Sequence, residues 1–383
     1  MTGLGIIRNL GRNGVPVYLV LEEKDEATYS KYCKKYFIFP GISQNLEKLV
    51  TILSKIQSQV NRPMVLFPTS DLLALNVSLL KDQTDSYLIP IADREVLEIL
   101  VEKRKFYESL GNLRIPHPST YFLKDDTEFA GISDEVRYPV YIRPSISTTF
   151  AEIFQKKGFV ANREEELLNY MNMGWKYGFE LLLQEIIPGD PTDHYFIDGY
   201  LDKKSKPLAV FARRRLRMFP LNFGNSTACV TIPLSKVSVM KETIINYLQS
   251  ISFHGIFSVE FKVDPRDNTP KMLEVNARSW WYNSFPAECG IDIIYTAYLD
   301  ALEKPIRPQE KYKDNVKLIY ILQDIMSSLT MFARRTLHLT EWASSLKGEK
   351  HYALFAEDDL LPFITSFPYF FRRNAPQMIR QLI

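Results

Sequence analysis

At 383 residues the chain has room for two or three domains, and 46% hydrophobic with 24% charged residues describes an ordinary globular protein with ample core. A formal charge of +2 argues neither for nor against nucleic acid, and three widely spaced cysteines, Cys33, Cys229 and Cys289, with no CxxC argue against a disulfide scaffold or a zinc site and for a reducing compartment. The five histidines form no HxxxH pair, no run reaches the length of a membrane span, and Arg8 and Arg12 interrupt the apolar stretch that a signal peptide needs, so a cytoplasmic location is expected.

The first ninety residues alternate strand and helix. Runs 15–21, 36–39, 64–67 and 87–90 read as short buried strands, with helices over 45–57 and 71–80, a pattern that implies a parallel sheet. Gly3-Leu-Gly5 opens a helix but lacks the preceding strand that a dinucleotide fingerprint requires. A doubly wound domain normally begins with a strand, so this one reads as starting one strand late. Either the start lies inside a longer reading frame or the sheet has lost an edge.

From about residue 93 the character changes. A helix containing Glu102-Lys-Arg-Lys-Phe-Tyr107 leads to strand-like runs 121–123 and 138–144, then to a Ser/Thr-rich turn, 145–149. An apolar strand beginning at Glu180 ends in Gln184-Glu-Ile-Ile-Pro-Gly189, which reads as a hinge. The next strand, from Pro207, carries four arginines within five residues, and alternation directs Arg213, Arg215 and Arg217 to one side. A solvated face is one reading of that cluster; bidentate phosphate or carboxylate binding is the other.

Two further runs, Gly255-Ile-Phe-Ser-Val-Glu-Phe-Lys-Val-Asp264 and Met272-Leu-Glu-Val-Asn-Ala-Arg-Ser-Trp280, read as strands joined by the turn residues 264–269 into a hairpin. Period-two alternation puts Glu274, Asn276 and Arg278 on one face and Leu273, Val275 and Ala277 on the other. Glu260, Glu274 and the Asn276 amide oxygen are the hard oxygen donors that Mg2+ accepts alongside substrate phosphates. An outward polar face of an antiparallel sheet is the competing reading, and the upstream cations weigh against it.

The order Lys103, Pro139-Val-Tyr-Ile-Arg143-Pro144, Gln184-Glu-Ile-Ile-Pro-Gly189, Glu260 and Glu274-Val-Asn276-Ala-Arg278 resembles the ATP-grasp superfamily. Within it, Arg214-Arg-Leu-Arg-Met-Phe-Pro220 with Phe223-Gly224, and Ile7-Arg-Asn-Leu-Gly-Arg-Asn-Gly14, are similar to the carboxylate-amine ligases that include D-aspartate ligase. The resemblance covers roughly residues 1–305, and the acidic segment 356–362 is similar to one near the end of some predicted members. It implies an α/β protein: a doubly wound Rossmann-like pre-ATP-grasp domain over 1–92, an ATP-grasp body of two α+β lobes over 93–305, and a helical C-terminal extension over 306–383.

The resemblance also implies roles. Lys103 and Arg143 would hold the ATP phosphates; the family usually has lysine at the second position, and arginine keeps the charge with a longer, planar fork. Gln184, Glu185, Ile186 and Ile187 would form the adenine-reading hinge. Glu260, Glu274 and Asn276 would bind Mg2+, or Mn2+, and Arg215, Arg217 and Arg278 would act on the transferred phosphoryl group or acyl phosphate. The 145–149 turn takes the place of a phosphate-covering loop. A homodimer is the expected assembly, acting on small-molecule substrates without nucleic acid.

The residue types fit that chemistry independently. A carboxylate resists amine attack until phosphorylation removes its charge and supplies a leaving group, and phosphoryl transfer asks mainly for positioning and charge neutralisation. The expected reaction is therefore ATP-dependent ligation of a carboxylate to an amine through an acyl phosphate, with release of ADP and phosphate. Alternatives are a carboxylase-type or thiol-ester-forming ligase, a regulatory ATP-binding protein without turnover, and, resting only on Gly3-Leu-Gly5, a nicotinamide dehydrogenase.

Other residues read as structural. His194 is expected to be a loop histidine with ordinary contacts, His254 a capping or packing residue, and Cys289 a small buried side chain. Trp280, Trp281 and Tyr282 divide evenly between core and an acceptor pocket. Run 317–331 is a strand or helix of mixed pattern, 332–346 an amphipathic helix with Trp342, and 360–371 holds two prolines that exclude a continuous helix. Arg372, Arg373 and Arg380 offer peripheral contact with an acidic membrane surface, against packing of the tail on the body.

Overall fold

The computed structural model describes all residues except 61, 82–85, 145–152, 155, 157, 222–223 and 371–383. The chain divides into two compact units, one formed by 1–98, 191–260 and 275–383, the other by 99–190 and 261–274. The expected phosphate-covering turn 145–149, Phe223 and the basic tail residues lie outside the described residues.

The opening segment forms two parallel pairs, β1 (Val17–Leu21) with β2 (Cys33–Ile38), and β3 (Met64–Val65) with β4 (Tyr87–Leu88), where the sequence implies one sheet. Helix Asp71–Ser78 is capped by Ser70, whose hydroxyl accepts the Leu73 N–H. The glycine pair has a packing role. A Cβ on Gly5 would lie 1.9 Å from the Asn283 amide oxygen, and Asn283 itself donates to the Thr2 carbonyl and accepts from Asn9. Only glycine lets helix Thr2–Arg12 approach the fully buried Asn283 this closely.

The run 7–14 and the acidic segment 356–362 serve each other. Arg8, 3% exposed, donates to Asp359 Oδ2 at 3.0 Å and to the Leu354 carbonyl, while Arg12 pairs with Asp358 and Glu288. Ser30 and the Lys31 N–H complete the hydrogen bonds of the buried Asp359 carboxylate. A buried ion pair needs such added partners to repay desolvation.

The second unit is built on β5 (Thr120–Leu123), β6 (Val140–Pro144), β7 (Phe159–Ala161) and β8 (Leu181–Glu185) in the antiparallel order β5-β8-β6-β7. Its own core joins Leu123, Val140, Ile142, Leu181 and Leu183 of the sheet to Leu167 and Met171 of helix Glu164–Trp175. Glutamates fill the first turn of that helix, where they complement its dipole.

The large sheet has the order β13-β12-β9-β10-β11-β14-β15, from β9 (His194–Leu201), β10 (Pro207–Phe219), β11 (Asn225–Thr231), β12 (Gly255–Asp264), β13 (Thr269–Asn276), β14 (Lys317–Ile319) and β15 (Lys350–Tyr352). The chain passes between the units within β12, after Glu260, and within β13, after Glu274. The expected turn 264–269 joins these two neighbouring strands. In the first unit Leu4, Ile7, Phe211, Phe285, Ile293 and Leu318 belong to one buried cluster.

The C-terminal stretch departs from the sequence reading in two places. Helix Ile321–Ala333 is followed by Arg335 at φ 57°, so 332–346 is not one helix, and only Leu339–Ser345 is helical beyond the break. Conversely, residues 361–370 are helical despite two prolines. Pro362 falls in the first turn, where its missing N–H is not needed, and Pro368 lies close to the described end of the helix.

Candidate active-site residues

In the first unit the expected metal ligand Glu260 sits on β12 beside β9 in the sheet, which brings His194 to it: Nδ1 lies 2.6 Å from Glu260 Oε1. Arg215, on β10 beyond β9, reaches the same oxygen at 3.0 Å. Burial by itself pushes the Glu260 carboxyl up, but the Arg215 guanidinium and the His194 hydrogen bond outweigh it and hold the group below the ordinary carboxylate range. The result is a half-buried carboxylate held in its anionic form. Arg215 is itself pinned, with Nε donating to Ser226 Oγ at 2.9 Å and its guanidinium 5.1 Å from the Phe196 ring centroid.

The three arginines expected to share a face are all 3% exposed, and each has its own partner. Arg213 binds Asp198 at 2.8 Å, Arg215 binds Glu260, and Arg217 makes a bidentate pair with Asp324 of helix 321–333 at 2.8 and 2.7 Å. A register shift between Arg215 and Arg217 against β11 accompanies the change of partner. Arg215 is thus the arginine that meets a candidate metal ligand, and Arg217 anchors a helix. Arg278 clamps Asp71 at 2.7 and 3.2 Å, and its Nη2 donates to Asn276 Oδ1 at 3.1 Å.

In the second unit Lys103 begins helix Lys103–Asn112, and its ammonium lies 3.6 Å from Glu274 Oε2. Arg143 is the penultimate residue of β6, half-buried. The hinge leaves β8, where Gln184 donates to Thr120 Oγ1 at 2.9 Å. Glu185 is buried, its carboxylate held by Arg266, by Lys271 at 3.4 Å and by the Ser119 N–H at 3.3 Å. Burial raises its pKa, and these donors outweigh that and lower it. Ile186 is half-buried and Ile187 buried; the Ile187 carbonyl accepts from Lys262 at 2.8 Å.

The sequence reading makes His194 a loop histidine with ordinary contacts, whereas it opens β9 and pairs with Glu260; Arg266, Lys271 and Asp71 have no role in that reading. Strand order supplies the first, since a histidine 66 residues from Glu260 becomes its neighbour only when β9 lies next to β12. The acid-then-base spacing of Asp264 and Arg266 was a local signal for the second. Among the aromatics, Trp280 and Tyr282 are buried in the core, and Trp281 is 37% exposed. His254 is buried and packs on the Tyr200 ring, and Cys289 is buried and free.

Among the described residues, no group of three or more His, Cys, Asp or Glu is arranged to hold a metal ion. The donors Glu260, Glu274 and Asn276 contain only two carboxylates, and all three offer the hard oxygens that Mg2+ prefers. Among the described residues no helix is long and apolar enough to cross a membrane.

No family model matches the chain. It is similar to D-aspartate ligase of Enterococcus faecium, 23% identical over 283 residues, spanning 70% of this chain and 67% of that protein. It is also similar to the C-terminal section of the carbamoyl phosphate synthase large chain of Methanopyrus kandleri, 25% identical over 206 residues, spanning 50% of this chain and only 36% of that one. In fold it matches the biotin carboxylase domain of Hydrogenobacter thermophilus 2-oxoglutarate carboxylase, solved as a dimer with MgADP, ADP and bicarbonate, at TM-score 0.63 and 18% identity over 82% of this chain and 70% of that one. The mixed α/β fold is that of these ATP-grasp neighbours, and the sequence likeness is to ATP-dependent ligases.

Proposed function

We propose that this protein is an ATP- and Mg2+-dependent ligase that joins a carboxylate to an amine through an acyl phosphate and releases ADP and phosphate. One observation carries most of the weight: Glu260, its side chain 16% exposed, is kept anionic by Arg215 and His194, so that it remains a charged carboxylate within reach of solvent, unlike the more deeply buried Asp198 and Asp324 that partner Arg213 and Arg217. The likeness to D-aspartate ligase supports the reaction class. In this reading 1–92 form a Rossmann-like preceding domain, 93–305 the nucleotide-binding body and 306–383 an extension of helical character, and the active protein is a dimer.

Each residue then has a task. Lys103 and Arg143 bind phosphate oxygens, and the 184–187 hinge orients the base. Glu260, Glu274 and the Asn276 amide oxygen hold Mg2+, which when bound screens the phosphate charge. Arg215 and Arg278 neutralise charge developing on the transferred group, because a guanidinium already fixed in place needs no reorganisation during reaction. Arg217 acts at one remove by seating helix 321–333 through Asp324. His194 orients the Glu260 carboxylate.

Hydroxylamine trapping with Mg-ATP and pooled amino and dicarboxylic acids tests the reading, with ADP and hydroxamate measured together. Hydroxamate that depends on one pool and disappears in Asn276→Ala is the expected result. Tight ATP binding with neither product from any pool would overturn it in favour of a non-catalytic ATP-binding protein.

A further inference from the structure

The first unit carries an apolar surface that none of the roles above uses. Helix 361–370 turns Pro362, Ser366 and Phe370 inward at i, i+4 and i+8, and all three are buried. Its other face holds Leu361, Ile364 and Phe367, of which the first two are 55% and 58% exposed. A surface helix ordinarily fills that face with charged and polar side chains. This one, Leu361-Pro-Phe-Ile-Thr-Ser-Phe-Pro-Tyr-Phe370, has no charged residue at all. The apolar surface continues past Phe370, which packs on Leu322 and Met326 of helix 321–333. That helix exposes Ile325 and Leu329 beside those two positions.

The border of this surface is mostly cationic. At the amino end of helix 361–370, Asp358 and Asp359 are taken up by Arg12 and Arg8, and the N–H of the exposed Lys31 donates to Asp359 at 2.9 Å. At its other end Tyr369 shares a hydrogen bond with Tyr29, and the exposed Lys24 ammonium lies 4.5 Å from the Tyr29 ring centroid. Arg334 and Arg335, both exposed, follow helix 321–333. In sequence, residues 371–383 add Arg372, Arg373 and Arg380 and no acid. The acids nearby are Glu357, exposed ahead of the helix, and Asp25, which accepts the Ala27 N–H.

An uncharged apolar face bordered by cations complements an anionic bilayer. At about 1.5 Å per residue the helix is far too short to cross roughly 30 Å of hydrocarbon, so it would lie along the interface with its outer side chains among the acyl chains. A second copy of the chain would instead set the same lysines and arginines against their own kind. We propose that helix 361–370, together with Ile325 and Leu329, docks the protein on an anionic phospholipid surface, its basic border binding headgroup phosphates. The proposal does not depend on the ligase reading.

The test sediments the full chain with vesicles of phosphatidylcholine alone or of phosphatidylcholine mixed with phosphatidylglycerol. Affinity should be at least about tenfold higher for the mixed vesicles and should fall as salt is added. Leu361→Asp/Ile364→Asp should lower it at least about tenfold, whereas Val239→Asp, which charges an exposed valine on helix Ser238–Ser250, should leave it unchanged. Hydrogen exchange over 361–370 in the parent chain should slow when mixed vesicles are added, a readout that decides even if the double variant does not fold. Equal affinity for both kinds of vesicle, no binding to the mixed ones, unslowed exchange, or full binding by the double variant overturns the proposal. Self-association that Leu361→Asp/Ile364→Asp abolishes, in a chain that does not bind vesicles, also overturns it, because a second copy then covers the face.

Discussion

Glu260 and Glu274 stand on neighbouring strands and are expected to do the same work, yet their surroundings differ. The Glu260 side chain is 16% exposed and takes a guanidinium and an imidazole on one oxygen; the Glu274 side chain is 44% exposed and has Lys103 at 3.6 Å. Desolvation makes the first carboxylate depend on the Arg215 guanidinium, and Arg215 on it. Water can replace the partner of the second. Residues with one expected role can therefore differ in what they contribute to the fold, and activity alone would not reveal it.

Substitutions can break this contrast, taken here in falling order of their effect on stability. Glu260→Gln should abolish turnover by ~10³-fold or more and also destabilise by about 4 kcal/mol, since Arg215 is left as a buried charge without its anion. A stable, inactive Glu260→Gln protein in urea titration would show that the pair is not structural. Arg217→Ala should destabilise by about 3 kcal/mol by stripping Asp324 of its bidentate partner, while turnover per folded molecule stays within about threefold. Loss of turnover at unchanged stability would instead make Arg217 catalytic.

His254 offers a pH test outside the candidate site. Burial lowers its pKa from 6.5 to about 4, helped by the Lys81 charge. The folded state thus favours the neutral ring. The associated stability is fully present above about pH 6.5 and falls as pH drops towards 4, by at most about 3 kcal/mol. Urea midpoints at pH 7 and 4.5 should converge in His254→Asn relative to the parent; an unchanged difference would assign the acid sensitivity elsewhere. Glu274→Gln completes the series: unfolding free energy within about 0.5 kcal/mol of the parent, with hydroxamate formation lost. Destabilisation comparable to that of Glu260→Gln would erase the distinction between the two carboxylates.

Much of the architecture was legible in the chain. Alternation marked β10, β12 and β13, the Asp264-Pro-Arg-Asp-Asn-Thr269 turn marked their connection, and the order of Lys103, Arg143, Glu260, Glu274 and Asn276 carried the family likeness, which the comparisons support. Periodicity and turn chemistry are local, and a strand or hairpin reports them within a few residues. The helix over 361–370 is not legible from its two prolines, because proline breaks a helix in its interior and is tolerated in the first turn, where Pro362 lies.

What the sequence by itself determined was the class of fold, the strands that carry the candidate residues and the hard-donor chemistry of Glu260, Glu274 and Asn276. Which arginine meets which acid was decided only by the tertiary structure. Arg213, Arg215 and Arg217 have the same charge and similar spacing, but Asp198, Glu260 and Asp324 come from three different elements. The same holds for His194 beside Glu260 and for Gly5 against Asn283. Partner choice follows strand order and packing between segments far apart in the chain, and no local pattern encodes those distances.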